Sequence, residues 1–248
     1  MAKEGTVGES LAERLEAAVI ECQDGGVLSR GDSGRPRSAG ATRSDSRSDD
    51  LIEAAVRMVA TRGMSGATIE RIADAAHVSR GLPRHYFRTK DQLLTAAYER
   101  LATEFTATLR QGADQGGRGP LAALNGAITA VFNPPHFNVD RLRAWFGFWQ
   151  ASPRNRSFRE VDRWVSESHR AFLEDLLSRA AKERALEIDV EGVARGLSLL
   201  MDGAFVALAG SSDTLTAAMA ERVCRQYVQR ALGVESVEER PGEVAEGP

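Results

Sequence analysis

The sequence predicts an all-α protein, with an N-terminal three-helix unit followed by a larger helical bundle. Three observations point there. Apolar residues recur at three- and four-residue spacing over most of residues 48–232. No alternating apolar and polar run of useful length occurs. Ser, Thr, Asp, Gly and Pro punctuate the chain where helices start and stop. No internal repeat is visible.

Each element has a local cause. Ser48 or Asp49 is placed to cap a first helix, with Leu51, Ile52, Ala55, Val56 and Val59 inward and Gly63 at its end. Thr68 caps a short second helix, where Glu70 suits the first turn and Ile69, Ile72, Ala73 and Ala76 make one apolar face. His77-Val78 forms a turn. Ser79 then caps a third helix carrying Arg80, Gly81, Leu82, Arg84 and His85, and Tyr86-Phe87 ends it on an aromatic anchor. Lys90 opens a long helix running to about residue 111, and 112–119 reads as a loop. Further helices cover 120–132, broken at Asn133-Pro134-Pro135, then 140–152, closed by Pro153, and 157–184, 190–210 and 213–233.

The flanks differ in composition. Residues 9–22 could make a short amphipathic helix with Leu11, Leu15, Ala18 and Val19 on one side, and are read as a transient helix in a disordered arm. Residues 23–48 are rich in Gly, Ser, Arg and Asp and cannot bury a core. Their arginines could touch DNA weakly or belong to a solvated tether. Residues 233–248 hold five Glu against one Arg and read as an acidic tail. The division is therefore 1–47 disordered extension, 48–95 helix-turn-helix unit, 96–232 helical body, and 233–248 disordered tail.

Whole-chain properties narrow the classes. No apolar run approaches the roughly 20 residues that span a bilayer, and the first residues lack a signal-peptide core. Cys22 and Cys224 sit in unrelated contexts without metal-ligand spacing, which fits a reducing cytoplasm. No metal site and no cofactor is expected. A Gly-rich phosphate loop, Gly-x-Ser-x-Gly, His-Glu-x-x-His and paired Glu-x-x-His are all missing, so no catalytic residues are assigned and an enzyme is not expected.

Charge is concentrated at one place. Residues 71–90 carry five basic side chains (Arg71, Arg80, Arg84, Arg88 and Lys90) against one acid, Asp74, in a chain of formal net charge −3. A compact basic segment on an acidic protein is an address for phosphates. Charge and spacing alone also allow a solvated surface corner.

The order Thr-x-x-x-Ile-Ala-x-x-Ala-x-Val-Ser-x-Gly-x-x-x-x-Tyr-Phe-x-x-Lys-x-x-Leu-Leu, over about residues 49–98, resembles the N-terminal domain of TetR-family transcription regulators. Two positions depart from it. His77 stands where that family usually has Gly, at a turn that often needs positive φ, which His tolerates. Pro83 lies inside the short third helix and predicts a tight or late start. The resemblance implies that Thr68, Tyr86 and Lys90 meet phosphates, while Ser79, Arg80, Gly81, Leu82, Arg84 and His85 face the major groove. Arg80 and Arg84 are the candidates for bidentate guanine contacts, with phosphate contact the alternative for each.

The body offers a second cluster. Trp145, Phe148 and Trp149 share a helical face, and Trp164 lies on the next helix. They are core packing or the wall of an effector pocket, in which tryptophans could hold a cation. Asp202 sits in an apolar stretch and is either paired, with Arg195, Arg143 or a partner across a dimer seam, or a pocket carboxylate facing a cation. Glu167 and His169 read as surface residues. Helices 190–210 and 213–233 are the most apolar pair, and a helix apolar around much of its circumference is buried on several sides.

The run Trp-Phe-x-Phe-Trp, the downstream Ser-x-x-Glu-Val-Asp-Arg, and Ala194-Arg195-Gly196-Leu197 leading to Met201-Asp202-Gly203 resemble the C-terminal domain of BetI-type regulators over about residues 120–232. Together the resemblances imply a homodimer joined by its last two helices. They imply a repressor on a palindromic double-stranded DNA operator, released by a small-molecule effector that is cationic or hydrophobic. A helix-turn-helix scaffold that binds protein partners is the alternative.

Overall fold

A computed structural model describes residues 10–23, 43–134, 137–210 and 215–234. It is all-α: ten α-helices and one 3₁₀ turn among the described residues. These are α1 (Leu11–Gln23), α2 (Arg43–Gly66), α3 (Ile69–Ala75), α4 (Leu82–Tyr86), α5 (Lys90–Gln115), α6 (Pro120–Phe132), α7 (Val139–Ala151), the 3₁₀ turn (Ser152–Arg154), α8 (Arg156–Glu183), α9 (Val190–Ala209) and α10 (Ala217–Ala231).

Polar caps set most of the starts. The side chains of Thr68, Thr89, Asn138, Asn155, Asp189 and Thr216 accept backbone N–H groups at the first turns of α3, α5, α7, α8, α9 and α10. Gly63 takes φ 67° and kinks α2 at the predicted stop, after which one more turn reaches Gly66. Several boundaries move. The first helix begins at Arg43, ahead of Ser48. The long connector α5 runs to Gln115, so the loop read at 112–119 is shorter. α7 starts at Val139, one residue early. α10 starts at Ala217 behind Thr216, not at Asp213, which lies outside the described residues.

The connector extends for a packing reason. Gly112 is buried against α6, and a Cβ on Gly126 would collide with the Gly112 carbonyl and with Gly116. Gly112, Gly116 and Gly126 together let the backbones of α5 and α6 cross this closely, so Gly112 is a crossing point rather than a stop.

Two apolar clusters organise the molecule. The first joins α2, α3 and the start of α5 to α7 and α8, through Leu51, Val59, Ile72, Leu94, Tyr98, Phe148, Phe158 and Trp164. The second joins the rest of α5 to α6, α8, α9 and α10, through Leu109, Leu124, Ile128, Phe132, Leu177, Leu197, Met201 and Cys224. The three-helix unit therefore shares its core with the body. Its boundary near residue 95 is one of sequence, not of packing.

The largest correction is α1. It is not a transient helix in an arm. Leu15, Val19 and Cys22 are buried in the first cluster. Arg14 and Glu16 pair with Glu99 and Arg110 of α5, and the Gln111 side chain donates to the carbonyls of Cys22 and Gln23. A four-turn helix with three buried apolar residues on one side becomes stable once a partner surface exists. The Gly/Ser/Arg stretch 24–42 and the acidic tail from 235 lie outside the described residues.

Candidate nucleic-acid interface and effector cavity

The three-helix unit assembles as the spacing predicts. Thr68 accepts from the Arg71 N–H at 3.4 Å and caps α3, with Ile72 and Ala73 buried beneath. The turn closes through Val78 N–H to the Ala73 carbonyl at 3.0 Å, and His77 takes φ 56°, the left-handed value its position demands.

The third helix is shorter than its sequence suggested. Ser79 does not cap it with its side chain: Gly81 stands at the N-cap and the Ser79 carbonyl accepts from Leu82. Pro83 occupies the first turn, where its missing N–H costs nothing, and is buried. The late start aims Ser79, Arg80, Gly81, Arg84 and His85 outward, all exposed. Leu82 and Tyr86 are half-buried, and the ring of His85 stands edge-on to Tyr86 at 5.2 Å.

The basic residues divide by employment. Arg71 donates to the Gly66 carbonyl, Arg57 to the Ala75 carbonyl, and the half-buried Lys90 to the Met64 carbonyl at 3.1 Å. Those three brace the unit. Arg80 reaches Asp74 at 3.5 Å across open solvent. Arg84 and Arg88 are exposed and have no ion-pair partner among the described residues. Gly81 has φ −80°, and a Cβ there would meet nothing within 4 Å. Nothing inside the chain requires that glycine.

The body holds a cavity of about 850 Å³ between α2, α5, α7, α8 and α9. Aromatic rings of Phe105, Phe137, Trp145, Phe146, Trp149 and Phe205 line it. The sequence-derived cluster splits here. Trp145 lies on the wall, edge-on to Tyr98 and tilted on Phe105, and Trp149 is also on the wall, 46% exposed. Phe148 and Trp164 are not wall residues. Phe148 is fully buried and stacked on Tyr98 at 4.9 Å, and Trp164 belongs to the same core. Spacing by three and four placed Trp145, Phe148 and Trp149 on one helical sector, with Trp164 on the next helix, but only packing decides which of them meets a void.

Asp202 lies on the cavity wall and makes no ion pair among the described residues: Arg195 goes to Glu191 and Arg143 to Asp140. Both intrachain pairs suggested for it are therefore wrong. Desolvation raises its pKa above the ordinary aspartate value. Its side chain is nonetheless open to solvent in the single chain, so the desolvation is that of a wall facing a void, not of a sealed core.

His169 corrects the surface reading. It lines the cavity, stands edge-on to Phe105 at 5.5 Å, and its Nε2 is buried with no partner. Burial lowers its pKa to about 4, so the ring is neutral at pH 7. Glu167 is exposed, as read.

The sequence did not single out the polar floor. Arg141 of α7 contacts Glu104 of α5 at 2.7 Å and Glu53 of α2 at 3.5 Å. Arg100 holds Asp49 at 2.7 Å, and the Tyr98 hydroxyl donates to Asp162. All the charged members line the cavity. Glu104 carried a faint signal, an acid in register with the buried face of α5. Burial raises its pKa, against the pull of Arg141 and Arg100.

A three-helix unit whose last helix and the turn after it present Arg84 and Arg88 without ion-pair partners among the described residues, packed on a helical body with a cavity, has the form of a helix-turn-helix regulator. The comparisons make this specific. Residues 51–97 match the profile of bacterial regulatory proteins of the tetR family, and 120–233 that of the BetI-type transcriptional repressor C-terminal domain. The chain belongs to the TetR family of transcriptional regulators, with a C-terminal domain of the BetI type.

Relatives agree. The HTH-type transcriptional regulator BetI of Burkholderia mallei (strain NCTC 10229) is 25% identical over 187 residues, 75% of this chain and 93% of that protein. The Burkholderia thailandensis protein of the same name is 28% identical, with the same coverage. A transcriptional regulator of Pseudomonas aeruginosa PAO1 superimposes with a TM-score of 0.70 at 27% identity, over 77% of this chain and 93% of that one. A regulator from Saccharomonospora viridis, solved in complex with choline, shares the fold at a TM-score of 0.67 and 17% identity, over 75% and 97% of the two chains. The protein is thus a ligand-responsive DNA-binding transcriptional regulator and not an enzyme.

Proposed function

We propose that the chain acts in the cytoplasm as a homodimeric repressor, binds a palindromic operator, and is released when an organic cation enters the cavity. The observation that carries this reading is the cavity wall itself. It combines residues of the reader (Glu53, Arg57 and His77) with residues of the body (Trp145, His169 and Asp202), so an occupant touches both. Allostery needs a ligand with different affinities for two states, and a site shared by two moving parts supplies that difference.

Cation chemistry rests on the wall's rings and on Asp202, an unpaired carboxylate that an organic cation would neutralise. The choline complex of the fold neighbour supports the same class. At about 850 Å³ the cavity is drug-sized, so a bulkier cation than choline fits it better.

Dimerisation rests on α9 and α10. Leu199, Gly203 and Val206 lie along one exposed face of α9, Met219 and Val223 along α10, and a Cβ at Gly203 would meet nothing within the chain. By length and composition α9 could also cross a membrane. In a DNA-bound regulator a second copy is the better cover, because a two-fold dimer reaches successive major-groove turns.

The DNA contacts proposed are Thr68, Tyr86 and Lys90 to phosphates, and Ser79, Arg80, Gly81, Leu82, Arg84 and His85 in the groove. The Lys90 ammonium spends one of its three N–H groups on the Met64 carbonyl and keeps two for a phosphate. Footprinting on the promoter of its own or a neighbouring gene tests the whole reading. A protected palindrome that opens when a quaternary ammonium is added supports it, and binding to every duplex with equal strength defeats it.

A further inference from the structure

We infer that Arg141 is the positioning residue that latches the reader to the body, and that its contact with Glu53 is the link an occupant of the cavity breaks. The inference rests on the effector cavity proposed above and adds the device by which occupancy reaches DNA.

One guanidinium spans three helices. Arg141 stands on α7 of the body, Glu104 on the connector α5, and Glu53 on α2, the first helix of the reader. The two legs are unequal. The contact to Glu104 is 2.7 Å with a carboxylate only 10% exposed, while that to Glu53 is 3.5 Å with one 39% exposed. The short buried leg anchors the arginine within the body and the long open leg reaches across to the reader. Nη1 of the same guanidinium is buried without a partner, so the side chain is held on one edge only.

All three side chains line the cavity. A cation placed there competes with Arg141 for the same carboxylates, and the weaker leg yields first. Glu53 then parts from Arg141, and α2 loses its charged tie to α7. Asp49 with Arg100 ties α2 to the connector α5.

The test measures operator affinity by fluorescence anisotropy, with and without benzyltriethylammonium as the probe. The coupling ratio is the factor by which the probe weakens binding. In Glu53→Gln the ratio falls about threefold to fivefold, the size expected of a partly exposed ion pair, and operator affinity without probe falls by a similar factor. Arg141→Gln lowers both as well, and the double variant is no worse than the more affected single one, because the two residues act as one link. Arg143→Gln, whose guanidinium pairs with Asp140 one turn back on the same helix, leaves both quantities unchanged.

If Arg141→Gln fails to fold, the half-exposed Glu53→Gln decides alone. A Glu53→Gln protein with wild-type affinity and wild-type ratio overturns the latch, and so does strict additivity in the double variant. A wild-type protein unmoved by the probe removes the organic-cation reading instead. The latch then stands or falls on Glu53→Gln affinity without probe.

Discussion

Gly81 and His169 show how a single residue separates fold from function. Gly81 has an ordinary helical φ and no neighbour to avoid, so alanine there fits the chain without strain. Gly81→Ala leaves the melting temperature level or slightly higher, since glycine is the costlier residue near a helix. It also weakens operator binding by about 1 kcal/mol or more, because the methyl intrudes where the duplex approaches. Thermal melts and anisotropy on one sample check both halves. Arg84→Ala costs about 1–3 kcal/mol of operator affinity and relaxes base preference at one position if it reads guanine. His169 carries a pH signature. Its pKa is about 4 in the fold against 6.5 in the unfolded chain, so the unfolded state binds more protons between those values. Stability therefore rises with pH across that window and is lost as pH falls from 6.5 towards 4, by about 3 kcal/mol at most. A His169→Phe variant unfolds at lower pH than the wild type, and equal acid midpoints by circular dichroism speak against the buried neutral ring.

At the level of helices, α1 and α4 deviate most from their sequence appearance, for opposite reasons. α4 is shorter than the Ser79–Tyr86 run because Pro83 fixes the first turn and leaves Arg80 and Gly81 in the approach. That outcome is legible: a proline inside a short helix predicts a late start. α1 is better ordered than its composition suggests because its stability comes from α5, whose contacting residues lie 85 or more positions further along the chain. Val19 is fully buried there. Val19→Asp strips α1 from α5, lowers unfolding free energy by about 2–4 kcal/mol, and raises hydrogen exchange across α1. Unchanged protection in α1 would contradict the packing described. α1 lies ahead of the stretches matched by the family profiles, the first of which begins at residue 51.

For the whole molecule, the proposed dimer rests on an exposed apolar strip that the single chain leaves uncovered. Leu199 is 66% and Val206 50% exposed, on a helix whose opposite face buries Ala194, Leu197, Met201 and Phe205. Leu199→Asp with Val206→Asp converts the dimer to monomer in sedimentation velocity while helix content stays constant, and operator affinity falls by at least the contribution of one half-site. A wild-type protein that sediments as a monomer at micromolar concentration removes the dimer. The effector side has its own pH dependence. Asp202 titrates above the normal aspartate range because burial disfavours its charge. Cation affinity accordingly rises as pH increases through that raised value, and Asp202→Asn reduces the slope in calorimetric titrations, the remainder belonging to the buried Glu104, whose pKa is also raised.

Local chemistry determined most of the helix starts, with caps at Thr68, Lys90's neighbour Thr89 and Asp189, the positive-φ turn at His77, and the basic reader. Those features depend on residues within about one turn of each other, and a linear string displays them. Tertiary packing alone decided that α1 docks, that Phe148 and Trp164 are core while Trp145 and Trp149 face a void, and that His169 is buried. It also brought Glu53, Glu104 and Arg141 to one guanidinium. Those outcomes depend on which surface arrives from a distant part of the chain, and helical periodicity names a face without naming what covers it.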